Sequence, residues 1–233
     1  MKYKFHPANE RGVNKMAWLD SKFSFSFAHW YDPQKIHFGA LRVLNDDIIA
    51  PNMGFGMHPH NDMEIITIIL EGALEHRDDM GNGSVIRPGD VQVMSAGTGV
   101  FHSEFNPDEN QPAKLFQLWI FPKEKNITPR YDQKSFEINH RLNSFQTVAS
   151  GFRKGEELYI HQDAALLLGK LDAGQGVKHT LAKDRHAWIH VAEGEVTING
   201  SKLSGGDAIA LSEEESLNIS ASKPSQVLLF DLN

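Results

Sequence analysis

His58-Pro59-His60 and, further along, His102-Ser103-Glu104 each place ligand-type side chains two residues apart. On a strand, residues i and i+2 point to the same face, so two such strands facing each other would gather four donors at one place. Three imidazoles and one carboxylate suit a borderline divalent ion such as iron, nickel, copper, manganese or zinc, and they leave coordination positions open to water or substrate. An open metal points to chemistry. The chain holds 12 His, so one of them alone would mean little. An isolated His is more often a surface or satisfied core residue. The two i, i+2 pairs, set among strand and Gly-rich turn signals, are what single these four out.

Positioning the donors requires strands, and the sequence supplies them. Short apolar or alternating runs recur at Ile65 to Leu70, Val91 to Met94, Leu115 to Phe121, Ala187 to Val191, Glu195 to Ile198, Ala208 to Leu211 and Val227 to Phe230. Each has the length of a strand and not of a helix. Turn signals separate them, among them Gly81-Asn82-Gly83, Pro88-Gly89-Asp90, Gly97-Thr98-Gly99, Asn199-Gly200 and Gly205-Gly206-Asp207. The pattern predicts an all-β sandwich or barrel. The stretch from Gln162 to Leu168 fits either a short strand or a single helical turn.

A faint internal repeat divides the chain. Leu70-Glu71-Gly72-Ala73-Leu74-Glu75, a turn and Pro88-Gly89-Asp90-Val91 correspond to Ala192-Glu193-Gly194-Glu195-Val196-Thr197, a shorter turn and Gly205-Gly206-Asp207-Ala208. Two β domains of similar design follow, with 122–150 as the expected linker. Counting through the repeat places Thr180, Ala182, Ile219 and Ala221 where the first copy has its four donors, and a slip of one residue adds only His179. The C-terminal copy is therefore expected to hold no metal. His186 and His190 share one face of a strand with no carboxylate in the run, and read as structural.

Composition excludes several functions. A formal charge of −7 and a pI near 5.9 disfavour nucleic-acid and anionic-membrane binding, both of which need clustered Lys and Arg. The pairs Asp46-Asp47 and Asp78-Asp79 and the run Glu213-Glu214-Glu215 read as solvated loop residues. The absence of Cys removes disulfides, thiolate sites and Cys nucleophiles, so any metal must be held by N and O donors. The N-terminus lacks an apolar signal region and no apolar run is long enough to cross a bilayer, which gives a cytoplasmic expectation.

The first half resembles the cupin superfamily. Its first motif appears as Gly54-Phe55-Gly56-Met57-His58-Pro59-His60-Asn61-Asp62-Met63-Glu64 closing at Gly72, and its second as Gly99-Val100-Phe101-His102-Ser103-Glu104-Phe105-Asn106. Two departures stand out: Gly97 where many cupins have Pro, and Glu64 one residue nearer His60 than is common. Both resemble the pirin branch of bicupins, as do Asn9-Glu10-Arg11-Gly12, Trp18-Leu19-Asp20-Ser21, Phe23-Ser24-Phe25, Tyr31-Asp32-Pro33 and Ser95-Ala96-Gly97-Thr98-Gly99. The resemblance implies two tandem jelly-roll β-barrels facing each other, a metal-binding N-terminal cupin at 1–130 and a C-terminal cupin lacking ligands at 131–233. It further implies one divalent transition ion, with Fe(II) the first expectation and Ni, Cu, Mn, Co or Zn the alternatives, on His58, His60, His102 and Glu104. Glu64, a ligand in general cupins, would then be a hydrogen-bond acceptor orienting an imidazole.

The activity implied by the resemblance is cleavage of flavonols such as quercetin with O2 and release of carbon monoxide. Lewis-acid binding of the 3-hydroxyl would stabilise its enolate, with Glu104 taking the proton. Phe55, Met57, Met63 and Phe101 flank the ligands and are candidate walls for an aromatic substrate. The alternative is a metal-dependent, redox-responsive regulatory protein that binds a transcription factor or metabolic enzyme. A sugar isomerase ranks last, for want of Lys or Arg near the ligands. No direct nucleic-acid or membrane partner is expected, and the chain is expected to be a monomer.

Overall fold

A computed structural model describes residues 2–152 and 155–233. Nearly every element is a strand, the exceptions being two short 3-10 turns at Ala8–Glu10 and Ile138–Arg141. The apolar runs read from the sequence lie in strands, except that Phe121 falls just past the end of Ala113–Ile120, and the ambiguous stretch after Gln162 forms the strand Ala164–Leu171.

The chain divides into two units, each with a large and a small sheet. The first comprises Gly12–Phe136 and Leu158–Gln162. Its large sheet runs Arg130–Ser135, Asp90–Ser95, Glu64–Glu71, Ala113–Ile120, Leu41–Ile49, Leu19–Phe23, Gly12–Lys15, and its small sheet runs Gly54–His60, Val100–Phe105, Leu74–Asp78, Gly83–Ile86. The second unit comprises Met1–Arg11, Glu137–Glu157 and Asp163–Asn233. Its large sheet orders Lys2–His6, Ala208–Ser212, His186–Glu193, Ser225–Leu232, Ala164–Leu171 and Ser144–Ser150, and its small sheet Gly176–Thr180, Ser216–Ala221, Glu195–Ile198 and Ser201–Ser204. The expected barrels are thus sandwiches whose two sheets are not closed into one. At Asn61–Met63 and Gly72–Ala73 the chain passes from one sheet to the other, and the ladder breaks there.

The boundaries differ from the expected cut at 130/131. Lys2–His6 pairs along its whole length with Ala208–Ser212, which carries the N-terminus into the second unit. Arg130–Ser135 pairs with Asp90–Ser95, so the first unit runs on to Phe136. The segment 122–150 is not a plain linker. Its strand Arg130–Ser135 lies at a sheet edge, half-buried on both faces, and therefore lacks the apolar alternation that reveals a strand in sequence.

The interiors of the two units differ in kind. Across the inner face of the first large sheet, one register row reads Asn45, Gln117, Thr67, Gln92, all buried. The matching row of the second unit reads Leu167, Leu229, Ile189, Ile209, part of one continuous apolar cluster. The first unit holds smaller clusters, among them one around Leu74, Ile86 and Leu115 and one of Ile65, Met94 and Val100. Between them lies a cavity.

Candidate metal centre

Two neighbouring strands of the small sheet carry the donors. His102 sits opposite His58 and Val100 opposite His60, and a bulge after His102 sets Glu104 opposite Phe55. Val100, His102 and Glu104 are buried while Phe101 and Phe105 are exposed, so the alternation survives the bulge and aims His102 and Glu104 inward together. Gly54 makes that bulge possible: a Cβ there would come 2.1 Å from the carbonyl oxygen of Glu104. Gly97, where many cupins have Pro, has φ +47, a value the Pro ring forbids.

The imidazoles of His58, His60 and His102 converge, with ring centroids 4.4 to 4.9 Å apart and nitrogen atoms within 4.8 Å of one another. His58 Nδ1 donates to the Gly56 carbonyl oxygen at 2.7 Å, which leaves its Nε2 lone pair free. His102 Nε2 is buried without a hydrogen-bond partner among the described residues. A buried polar atom left unpaired costs about 1–3 kcal/mol, and a cation at that position would satisfy it. Burial, assisted by the neighbouring His58, depresses the pKa of His60 to about 4. Burial with His58, His60 and His76 close by depresses that of His102 to about 2. Both rings are therefore neutral at neutral pH, the form a metal requires. This donor set fits the expected ion.

Glu104 is held beside His102 and lines the same cavity as the three rings. Its carboxylate groups with His76 and His102, also within 4.8 Å, and its Oε1 accepts a 2.6 Å hydrogen bond from Gln117 Nε2. Burial raises its pKa to about 7; the Gln117 bond opposes the rise and the charge of Asp47 adds to it.

Above the rings lies a cavity of about 320 Å³. Aromatic walls come from Trp18, Phe23, Phe27, Phe55 and Trp119, and polar groups from Asn14, Ser21, Asn45, Asp47 and Gln117. Trp119 stands edge-on to His60, centroids 4.8 Å apart, and to Phe27 at 5.3 Å. Of the four expected wall residues only Phe55 lines the cavity. Met57 and Phe101 are exposed on the outer face, and Met63 packs against the cluster of Ile65, Met94 and Val100.

Glu64 does not take the role expected of it. Ile65 lines the cavity, so its neighbour Glu64 points to the other face of the strand, where its Oε2 accepts from Ser95 Oγ at 2.9 Å and from the His161 backbone N–H at 3.1 Å. The polar side chain that meets a candidate ligand ring instead is His76, whose Nδ1 lies 3.4 Å from His102 Nδ1 and whose Nε2 lies 3.0 Å from Asp78 Oδ2. Asp78, read as a solvated turn residue, has a fully buried side chain, and Asp47 is 2% exposed. The i, i+2 pair His76-Arg77-Asp78 repeats the spacing of the ligand pairs, a signal the sequence contained.

In the second unit the register places His179, Leu181, Leu217 and Ile219 where the first has His58, His60, His102 and Glu104. The slip of one residue is the right count for the first pair, and the second pair lies two residues earlier than counting gave. Leu181, Leu217 and Ile219 belong to the apolar core, while His179 lies 3.8 Å from Asp231.

Two tandem two-sheet β units, one carrying three convergent imidazoles beneath a cavity, define a bicupin. Residues 5–120 match the Pirin family model and residues 147–232 the quercetinase C-terminal cupin domain. The chain is 47% identical over 225 residues to quercetin 2,3-dioxygenase of Escherichia coli K12, covering 97% of this chain and 96% of that one. It is 42% identical to a pirin-like protein of Caulobacter vibrioides, covering 97% of each. It belongs to the pirin family. Its fold superposes with a TM-score of 0.94 on the crystal structure of the Escherichia coli pirin YhhW in complex with nickel(II), at 45% identity and over 99% of both chains.

Proposed function

We propose that this chain is a metal-dependent dioxygenase that cleaves flavonols such as quercetin with O2 and releases carbon monoxide, using one divalent ion on His58, His60, His102 and Glu104. The observation that carries the proposal is the convergence of three imidazoles, one with a buried Nε2 that has no partner among the described residues, at the floor of an aromatic-walled cavity. The similarity to quercetin 2,3-dioxygenase of Escherichia coli and to a nickel-bound pirin supports it. Fe(II) and Ni(II) are the first ions to test.

When bound, the ion supplies Lewis acidity toward the 3-hydroxyl and 4-keto oxygens of the substrate. Trp18, Phe27, Phe55 and Trp119 offer apolar faces and edges to a planar ring system, while Asn45 and Asp47 present polar groups to its hydroxyls. Glu104 accepts the 3-hydroxyl proton. Gln117 keeps the carboxylate aimed while it does so. The walls also exclude water from the electron-rich ring. A redox-responsive regulatory protein remains the alternative, but a cavity of this size and lining above the rings favours turnover. The partners that follow are a small aromatic substrate and O2. A cytoplasmic location agrees with the absence of Cys; no helix among the described residues is long and apolar enough to cross a membrane.

The test is flavonol loss and O2 consumption by metal-quantified protein, with His102→Ala and Glu104→Ala alongside. Turnover proportional to bound metal and lost in both variants is the expected result. A fully metallated protein that consumes no O2 would overturn the proposal in favour of the regulatory reading.

A further inference from the structure

We propose that Asp78 and His76 form a tautomer lock that fixes the proton of His102 on Nδ1 and so presents its Nε2 lone pair to the metal. The inference rests on the reading of His102 as a ligand and extends it to two residues that do not touch the ion.

The lock begins at a carboxylate that can only accept. Asp78 Oδ1 accepts from the Met80 N–H at 3.0 Å, the Asn82 N–H at 2.9 Å and Asn82 Nδ2 at 3.1 Å, and Oδ2 accepts from Asn82 Nδ2 at 2.9 Å. Desolvation works against the charge of this carboxyl, but the hydrogen bonds from His76 and Asn82 outweigh it and keep the pKa below the usual range. At Oδ2 it also faces His76 Nε2, 3.0 Å away, and that nitrogen must therefore be the donor. One proton on His76 suffices, on the nitrogen that Asp78 accepts from, because a second on Nδ1 would force the proton of His102 onto a buried Nε2 where no described residue accepts it. A neutral ring with its proton on Nε2 has only a lone pair on Nδ1. Across 3.4 Å that lone pair faces His102 Nδ1, which must then carry the N–H. His102 Nε2 is left as a bare lone pair, the buried atom that has no partner among the described residues. Tyr131 stacks on His76 with centroids 4.7 Å apart and an interplanar angle of 30°, which limits rotation of the intermediate ring.

The second unit supplies an internal comparison. Where the first has His76, the second has Ile198, packed in its apolar core. Its hairpin also turns at once through Asn199-Gly200, before any position matching Asp78 is reached. The unit without the cluster of imidazoles thus lacks both members of the lock, and an apolar residue packs well at that point of the fold. His76 and Asp78 are accounted for by the ring they orient and not by the architecture.

Asp78→Asn tests the direction of the chain. With Oδ1 still accepting from the turn, the new amide N–H faces His76 Nε2, reverses both tautomers and moves the His102 proton onto Nε2. His76→Leu removes the acceptor instead and leaves His102 free to take either tautomer. Long-range 1H–15N correlation spectra of the metal-free protein report the His102 tautomer directly, and chelator competition with Ni2+ reports affinity. The expected results are an Nδ1–H tautomer in the wild type, an Nε2–H tautomer in Asp78→Asn, and an affinity about 10–100-fold weaker in both variants. A wild-type His102 protonated on Nε2 refutes the lock even if neither variant folds. A wild type that binds Ni2+ beside folded variants that bind it within about twofold as well also refutes the lock, and leaves the metal site standing. Failure of the wild type to bind Ni2+ removes the metal site itself, and the lock with it.

Discussion

Replacing Glu104 with Gln separates what the carboxylate does for chemistry from what it costs the fold. The side chain is 4% exposed, and its pKa rises from an ordinary 4.5 to about 7 in the folded protein. A raised acid pKa means that the folded state binds the extra proton between those values, so stability falls as pH rises through that window and is level above it. The difference corresponds to roughly 3 kcal/mol lost from the metal-free protein between pH 4.5 and 7, at about 1.4 kcal/mol for each unit. Glu104→Gln has no such proton and keeps an acceptor for Gln117. Urea unfolding of both metal-free proteins at pH 5 and pH 8 isolates this contribution, because every other titration cancels in the difference between them. Three of the four Trp, at 18, 30 and 119, lie in the first unit, so tryptophan emission follows the relevant transition. The variant is expected to be relatively more stable at pH 8 by a few kcal/mol, while flavonol turnover drops by about 10²–10⁴-fold with loss of the base. Identical pH dependence of the two metal-free proteins within about 0.5 kcal/mol would refute the claim that burial holds this carboxyl near neutrality.

Three further outcomes follow from the geometry. Glu64→Gln, on the face of its strand away from the cavity, is expected to leave Ni2+ affinity and turnover within about twofold of wild type; a loss of metal measured by chelator competition would show that Glu64 reaches the site after all. Trp119→Ala removes the ring that stands against His60 and one wall of the cavity, and is expected to raise KM for flavonols by about 10-fold with a smaller effect on kcat, as steady-state kinetics will show. Gly54→Ala drives a Cβ into the Glu104 carbonyl oxygen and is expected to cost at least about 3 kcal/mol in chemical denaturation and to abolish metal uptake, whereas Gly56→Ala on the same strand meets nothing within 4 Å and is expected to be tolerated.

Much of this was legible in the sequence for physical reasons. Strand alternation and the two i, i+2 pairs survive translation into three dimensions because side-chain direction on a strand is fixed by the backbone, and His58, His60 and His102 do meet. What stayed hidden depends on long-range pairing. Trp18, Phe27 and Trp119 become cavity walls only when distant strands align, and none carries a local mark of that role. Asp78 was read as solvated because acidic residues beside a turn usually are; it is buried because the turn itself supplies its donors and His76 closes it off. The strand Arg130–Ser135 was invisible because an edge strand needs no apolar face. The count through the repeat slipped because the connections between the sheets differ in length: the one from Leu181 to His186 is longer than its counterpart from His60 to Glu64, and the one from Ser212 to Leu217 is shorter than its counterpart from Ser95 to His102.

The row Asn45, Gln117, Thr67, Gln92 and its counterpart Leu167, Leu229, Ile189, Ile209 show one backbone plan furnished in two ways. One version is lined with amides and a hydroxyl around a reactive hollow; the other is filled with hydrocarbon. A duplicated fold of this sort lets reactivity be dismantled in one copy, residue by residue, with each exchange of a polar side chain for an aliphatic one adding to cohesion. The reactive copy cannot drift the same way without ceasing to function. The chain therefore records, within a single molecule, both the lasting disadvantage of keeping a polar interior and the packed interior that becomes available once that demand is lifted.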